Sequence, residues 1–166
     1  MPKTRKLALM AMFTAASLIV FVIEAQIPAP IPVPGVKLGL ANIVTLIAMV
    51  MLGRREAGLI LLVRIAMGSM FTGGVSAFIF SIAGGALAYA VMCLTLKLFP
   101  EKLLWVVSVL GAAAHNLGQL AAAIIITKTS SLMLYAPALL ASAVVTGAFT
   151  GIAAMYLIRR LDKRVS

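Results

Sequence analysis

Acidic side chains are scarce here: four Asp and Glu stand against 14 Lys and Arg in 166 residues. The only aspartate is Asp162, close to the C-terminus, and the glutamates Glu24, Glu56 and Glu101 lie far apart in the chain. Metal-assisted prenyl transfer and phosphate hydrolysis depend on clustered carboxylates, so without a DDxxD-like pair neither reaction is expected of this chain. Histidine and cysteine occur once each, at His115 and Cys93. The two cannot complete a zinc site alone, and Cys93 has no partner for an internal disulfide, so it reads as a small packing residue. No GxxxxGKS/T loop is present, which removes ATP hydrolysis by that route. The glycine pairs Gly73–Gly74 and Gly84–Gly85 read as points of bending or close approach of membrane helices, not as phosphate cradles.

What is abundant is apolar surface. Hydrophobic residues make up 63% of the chain and mean hydropathy is +1.16, values that belong to a set of membrane spans. The formal charge of +10 sits in short clusters between apolar runs, and no basic surface is interleaved with base-stacking aromatics. Nucleic acid is therefore not an expected partner; the lipid bilayer is. A signal peptide would also place a basic stretch before an apolar one, but the first apolar run is about 21 residues long and similar runs follow it, so it reads as a first span.

Cutting at charges and at Pro or Gly clusters leaves runs at 7–27, 36–52, 57–71, 75–96, 103–127 and 133–158. The sequence thus predicts an all-α membrane protein, a six-helix bundle in a single domain over 1–166, with the third run short for a crossing of about 20 residues. Lys3, Arg5, Lys6, Arg54, Arg55, Lys97, Lys102, Arg159, Arg160, Lys163 and Arg164 fall on one side of this arrangement, and Lys37 and Lys128 on the other. That bias puts both termini in the cytoplasm, with the chain multi-pass in the membrane. The stretch with prolines at 28, 30, 32 and 34 becomes a stiff extracytoplasmic loop, a lid or a spacer.

Small side chains allow helices to approach closely in lipid. Ala8, Ala11 and Ala15 line one face of the first helix and Ala143, Gly147 and Gly151 line the last. Each stripe has two readings, internal packing or a docking face for another membrane subunit.

Polar residues at membrane depth mark a candidate site. Counting from the predicted ends, Asn42 lies about 9 Å inside the second helix. His115, Asn116 and Gln119 share about 100° of arc on the fifth helix and would be costly facing lipid, so they are expected to face an interior or wet cavity, with ligand contact and structural hydrogen bonding as their two readings. Ser142, Thr146 and Thr150 form a polar stripe beginning at comparable depth on the sixth helix; such residues also bond their own backbone. Arg64 lies within the third run, where its charge costs about 2.5 to 3.5 kcal/mol unless compensated. Snorkelling to phosphates, capping carbonyls and facing a ligand anion are its open roles. A direct pair with Glu24 is not expected from their depths. Glu24 itself has two readings, a site for a substrate amine or proton, or a hydrated group near the interface. Lys37, with Lys128, would make the outer mouth positive and favour anionic solutes, or would anchor helix ends to lipid. No metal or cofactor is expected.

The run "VKLGLANIVTLIAMVMLGRREAGLI" with "SIAGGALAYAVM" and "AAAHNLGQLAAA" resembles the membrane family called heptaprenyl diphosphate synthase component I, also called the Gx transporter family. That family looks related to the S components of energy-coupling factor transporters; the resemblance covers about Leu7 to Leu157, and "KLGLAN" is its most specific part. It implies six helices and a vitamin-like or isoprenoid-related small molecule bound in the outer half. It also implies ATP hydrolysis by partner ATPase subunits, and an alanine motif, here Ala11 and Ala15, that docks a transmembrane coupling subunit. The family name suggests an enzyme, which the missing carboxylates oppose. The expected function is therefore a non-enzymatic substrate-capture subunit with Lys37, Asn42, Arg64, His115, Asn116 and Gln119 at its site. An autonomous proton-coupled carrier using Glu24 or His115, and an accessory membrane subunit of a prenyl diphosphate synthase, are the alternatives.

Overall fold

A computed structural model describes residues 2–27, 37–72 and 74–165. The proline-rich loop expected at 28–36 lies outside the described residues, as does Gly73 of the first glycine pair. Six α-helices follow in order: α1 (Lys3–Gln26), α2 (Asn42–Met51), α3 (Arg54–Thr72), α4 (Gly74–Leu98), α5 (Leu104–Thr127) and α6 (Ala136–Val165). Short 3-10 segments, Glu101–Leu103 and Ser130–Tyr135, lead into α5 and α6, and no strand occurs among the described residues. The helices α1, α4, α5 and α6 are each long and apolar enough to cross a membrane. Helix α3 has 19 residues but carries Arg54, Arg55, Glu56 and Arg64, and α2 has only ten residues.

Two expected boundaries are corrected. The short helix is α2, not α3. Of the apolar run predicted from residue 36, the described residues 37–41 are not helical and the helix begins at Asn42, because Gly39 takes a left-handed φ of +77° that interrupts a helix. Three tight bonds, Asn42 N–H to Gly39 O, Ile43 N–H to Leu40 O and Val44 N–H to Ala41 O, then start α2. Asn42 is thus the first residue of its helix and not one buried about 9 Å along it. Helix α3 begins at Arg54, because its charged first turn is helical although not apolar, so Arg64 sits about 15 Å along it, near its middle.

The two ends of the bundle are distinguishable. Lys6 of α1 pairs with Glu56 of α3, and the Tyr89 hydroxyl of α4 donates to the Arg54 carbonyl at 2.8 Å. These contacts gather the chain start, the α2–α3 turn and the lower part of α4 at one end, here called basal. One apolar cluster fills the basal half, with Leu46 and Ile47 of α2, Ile60 of α3, Met92 of α4, Val107 of α5 and Ala154 of α6. A second, smaller cluster of Phe80, Leu120, Ala122, Ala123 and Leu139 joins α4, α5 and α6 nearer the other end. On α4 and α5, the buried residues between these clusters include Gly84, Gly85, His115, Asn116 and Gln119.

Glycine brings the helices close enough to fix this layer. A Cβ on Gly118 of α5 would lie 2.6 Å from the Ala83 carbonyl oxygen of α4, so the backbones themselves touch. On α6, a Cβ on Gly147 would lie 2.6 Å from Val109 Cα, and one on Gly151 would lie 2.5 Å from Trp105 Cα. With Ala143 fully buried, the α6 stripe is internal packing against α5. Ala8, Ala11 and Ala15 on α1, in contrast, are exposed. Cys93 is partly buried against the basal cluster, as a packing residue would be.

Candidate binding site

The layer between the two apolar clusters is built around residues 37–41, a stretch of chain that lies among the helices before α2 starts. Non-helical backbone at this depth is tolerated when protein groups satisfy it. Gln119 and Glu24 do so. The Gln119 carbonyl oxygen Oε1 accepts the Lys37 N–H at 2.9 Å. The Glu24 carboxylate accepts the N–H of Gly39 with one oxygen and that of Ala41 with the other. These donors lie at the entry to α2, where unpaired N–H groups and the helix dipole favour a negative charge. Glu24, the only acid in the apolar part of α1 and 4% exposed, is therefore the cap of a neighbouring helix.

Side chains converge on this stretch from α3, α4 and α5. A Cβ on Gly39 would meet His115 Cδ2 at 2.8 Å and Asn42 Nδ2 at 3.0 Å. A Cβ on Gly84 would meet His115 Nδ1 and Gln119 Cγ, each at 2.8 Å, and one on Gly85 would lie 3.8 Å from Arg64 Nη2. The absence of side chains at Gly39 and Gly84 makes the room that His115 and Gln119 occupy, while at Gly85 the close neighbour is Ile65 Cδ1, 3.0 Å from the position of a Cβ.

Phe21 connects the two cations. Lys37 Nζ lies 4.0 Å from its ring centroid and Arg64 Cζ lies 5.3 Å from it. Contacts of this kind offset part of the cost of a cation away from water. Phe21 in turn lies against Gly68, where a Cβ would come within 2.7 Å of the ring. No ion pair joins Arg64 to Glu24 among the described residues.

Several buried polar atoms in the layer have no hydrogen-bond partner among the described residues. They are Asn42 Nδ2, Arg64 Nε and Nη2, and His115 Nδ1, with Asn116 Oδ1 next to them on α5; Ser17 Oγ and Thr45 Oγ1 are also unpaired. Arg64 is 2% exposed and His115 3%. Leaving such groups unpaired is costly, and more so for a charge, which is why concentrations of them mark sites that bind something.

Five of the six sequence-predicted site residues thus meet in one layer: Lys37, Asn42, Arg64, His115 and Gln119. Asn116 does not join them. Its Nδ2 donates to the Leu139 carbonyl at 2.8 Å and approaches Ser142 Oγ at 3.4 Å, so it turns toward α6. The Ser142, Thr146 and Thr150 stripe also has an internal role. Each hydroxyl bonds a carbonyl one turn back in α6, and Thr150 meets Ser108 of α5 at 3.0 Å. Lys128 is exposed at the left-handed end of α5, with φ of 53°. Sequence reasoning missed Phe21, whose aromatic ring looked like any apolar residue, and it undervalued Gly39 and Glu24. A lone acid in an apolar run and a glycine just before a helix were the signals available.

Two apolar grooves lie away from this layer. One, of about 590 Å³, runs between α4 and α5 along Ala83, Leu87, Gly118 and Ala122; the other, of about 490 Å³, runs between α3 and α4 along Leu59, Leu62, Ile82 and Tyr89. No group of three or more potential metal ligands occurs among the described residues.

No curated protein and no solved structure matches the chain. A family model described as heptaprenyl diphosphate synthase component I matches residues 13–157, which takes in α2 to α5 whole, the outer part of α1 with Phe21 and Glu24, and most of α6. By that match the chain belongs to the heptaprenyl diphosphate synthase component I family.

Proposed function

We propose that this chain is the substrate-capture subunit of an uptake transporter of the energy-coupling factor type. It would cross a prokaryotic cytoplasmic membrane six times with both termini inside. One observation carries the reading: unpartnered buried nitrogens of α2, α3 and α5 gather in a single layer beside a non-helical segment. Many hydroxyls of the bundle bond a carbonyl of their own helix, so a group of large polar side chains left unspent together is the expected mark of a ligand. The chain is not itself a catalyst in this reading, since its carboxylates are few and Glu24 is occupied by backbone N–H groups. With no ATP loop, energy comes from partner ATPases through a coupling subunit, for which exposed Ala11 and Ala15 offer a flat helix face.

The same occupation of Glu24 weakens the case for an autonomous proton carrier. The family's own name favours a second reading, an accessory membrane subunit of a prenyl diphosphate synthase. Mass spectrometry of small molecules released from the purified protein separates the two. Capture predicts a retained compound whose occupancy falls about tenfold or more in Asn42→Ala and His115→Ala. Stable co-purification with a prenyl synthase and no retained compound would favour the accessory role.

A further inference from the structure

The two unpaired nitrogens of Arg64 are not an arbitrary pair. Nε and Nη2 present their N–H bonds side by side along one edge of the guanidinium, the edge that grips a carboxylate through two parallel hydrogen bonds. This edge is in a residue 2% exposed, with Nη2 beside the side-chain-free Gly85 and Cζ 5.3 Å from the centroid of the Phe21 ring. Asn42 Nδ2, another unpaired donor, lies in the same layer.

The charges of the layer limit what the edge can take. Arg64 and Lys37 are positive and Glu24 is negative, so with His115 neutral the layer holds one positive charge in excess. Glu24 is not at the fork: no ion pair joins it to Arg64 among the described residues, and its two oxygens are turned to the backbone N–H groups of Gly39 and Ala41. One external negative charge balances the layer. A phosphate monoester, carrying about 1.5 to 2 negative charges near neutral pH, over-balances it.

We infer that the Nε–Nη2 edge of Arg64 is the seat of a carboxylate belonging to the captured molecule. This rests on the capture reading above and names the substrate class, a small monocarboxylate. The planar fork selects the group by shape, and the single excess charge selects it by valence. Lys37, on the ring of Phe21, supplies the second positive charge near the approach.

The test uses the full chain in lipid nanodiscs, followed by thermal unfolding through its single tryptophan, Trp105. Sodium formate is the probe, against sodium chloride at the same ionic strength and against inorganic phosphate. Formate should raise Tm saturably, by about 4 °C. In Arg64→Lys, which keeps the charge and loses the fork, the half-saturating formate concentration should rise about tenfold. Arg55→Lys, exposed at the basal end, should respond like the wild type. No saturable formate effect in the wild type overturns the proposal, whether or not Arg64→Lys folds. Phosphate acting at lower concentration than formate overturns the carboxylate assignment, and an unchanged response in Arg64→Lys overturns the fork. Saturable formate protection with no compound retained on purification upholds the anion seat and removes the capture reading. A retained compound without an acidic group, together with no formate effect, does the reverse.

Discussion

Gly39 is asked to do two things that no other residue type can do together. Its φ of +77° is a left-handed conformation, and the space where a Cβ would stand is taken by His115 at 2.8 Å and Asn42 at 3.0 Å. Gly74 separates the two demands, because its φ is +64° and nothing lies within 4 Å of its Cβ position. Gly74→Ala should therefore cost only the backbone preference, about 1 to 2 kcal/mol. Gly39→Ala should cost that and a further overpacking cost of about 1 to 3 kcal/mol as His115 is displaced. Thermal unfolding in detergent measures both, and equal losses would show that the packing against His115 contributes nothing. Side chains were legible in the sequence to the extent that their chemistry alone constrained them. His115 and Gln119 were legible because large polar groups cannot face lipid at low cost. Phe21 was not, since nothing in a phenylalanine within an apolar helix announces that two cations will lie over it.

At the scale of elements, the site depends on how closely α4 and α5 approach. Gly118 faces the backbone of Ala83 and Gly84, with Gly84 Cα 3.0 Å from the position of a Cβ. Backbone cannot swing aside as a side chain can, so Gly118→Ala must push the two helices apart. Gly58 is the matching control, because a Cβ there meets the Tyr89 hydroxyl at 3.0 Å, the far end of a side chain that can rotate. Gly118→Ala should destabilise by about 1 to 3 kcal/mol and Gly58→Ala by clearly less. It should also weaken retention of any captured compound, since Gly84 and His115 would separate; full retention with lowered Tm would detach the site from this contact. The all-helical class was readable from the apolar runs, because backbone in lipid has few alternatives to a helix. The start of α2 was not. Residues 37–41 are as apolar as a helix, and what stops them is a glycine conformation fixed by Glu24, which lies in a different helix. Hydropathy cannot record a bond between residues 15 positions apart.

Across the whole molecule, the basic residues follow the fold. Lys6 meets Glu56, next to Arg54 and Arg55, while Lys97 ends α4 close to Lys102. Trp105, three residues after Lys102, packs on Gly151 of α6, eight before Arg159. The clusters read from sequence as one side of a membrane are thus at one end of the bundle, and the turn containing Lys128 and Thr129 is at the other end of α5. Positive charge resists transfer across the membrane, so the basal end should face the cytoplasm. Single-cysteine labelling tests this directly. With Cys93→Ser as background, one cysteine is placed in turn at Thr4, Lys102, Thr129 and Arg160, all exposed. A membrane-impermeant maleimide should label only Thr129→Cys in intact cells and the other three only after permeabilisation. Labelling of Thr4→Cys and Thr129→Cys together would mean that α1 to α5 cross an even number of times, leaving α2 and α3 unable to serve as two separate crossings. Labelling of Lys102→Cys alone with the termini would turn the bundle over, placing the Arg64 layer's approach on the cytoplasmic side and converting uptake into export.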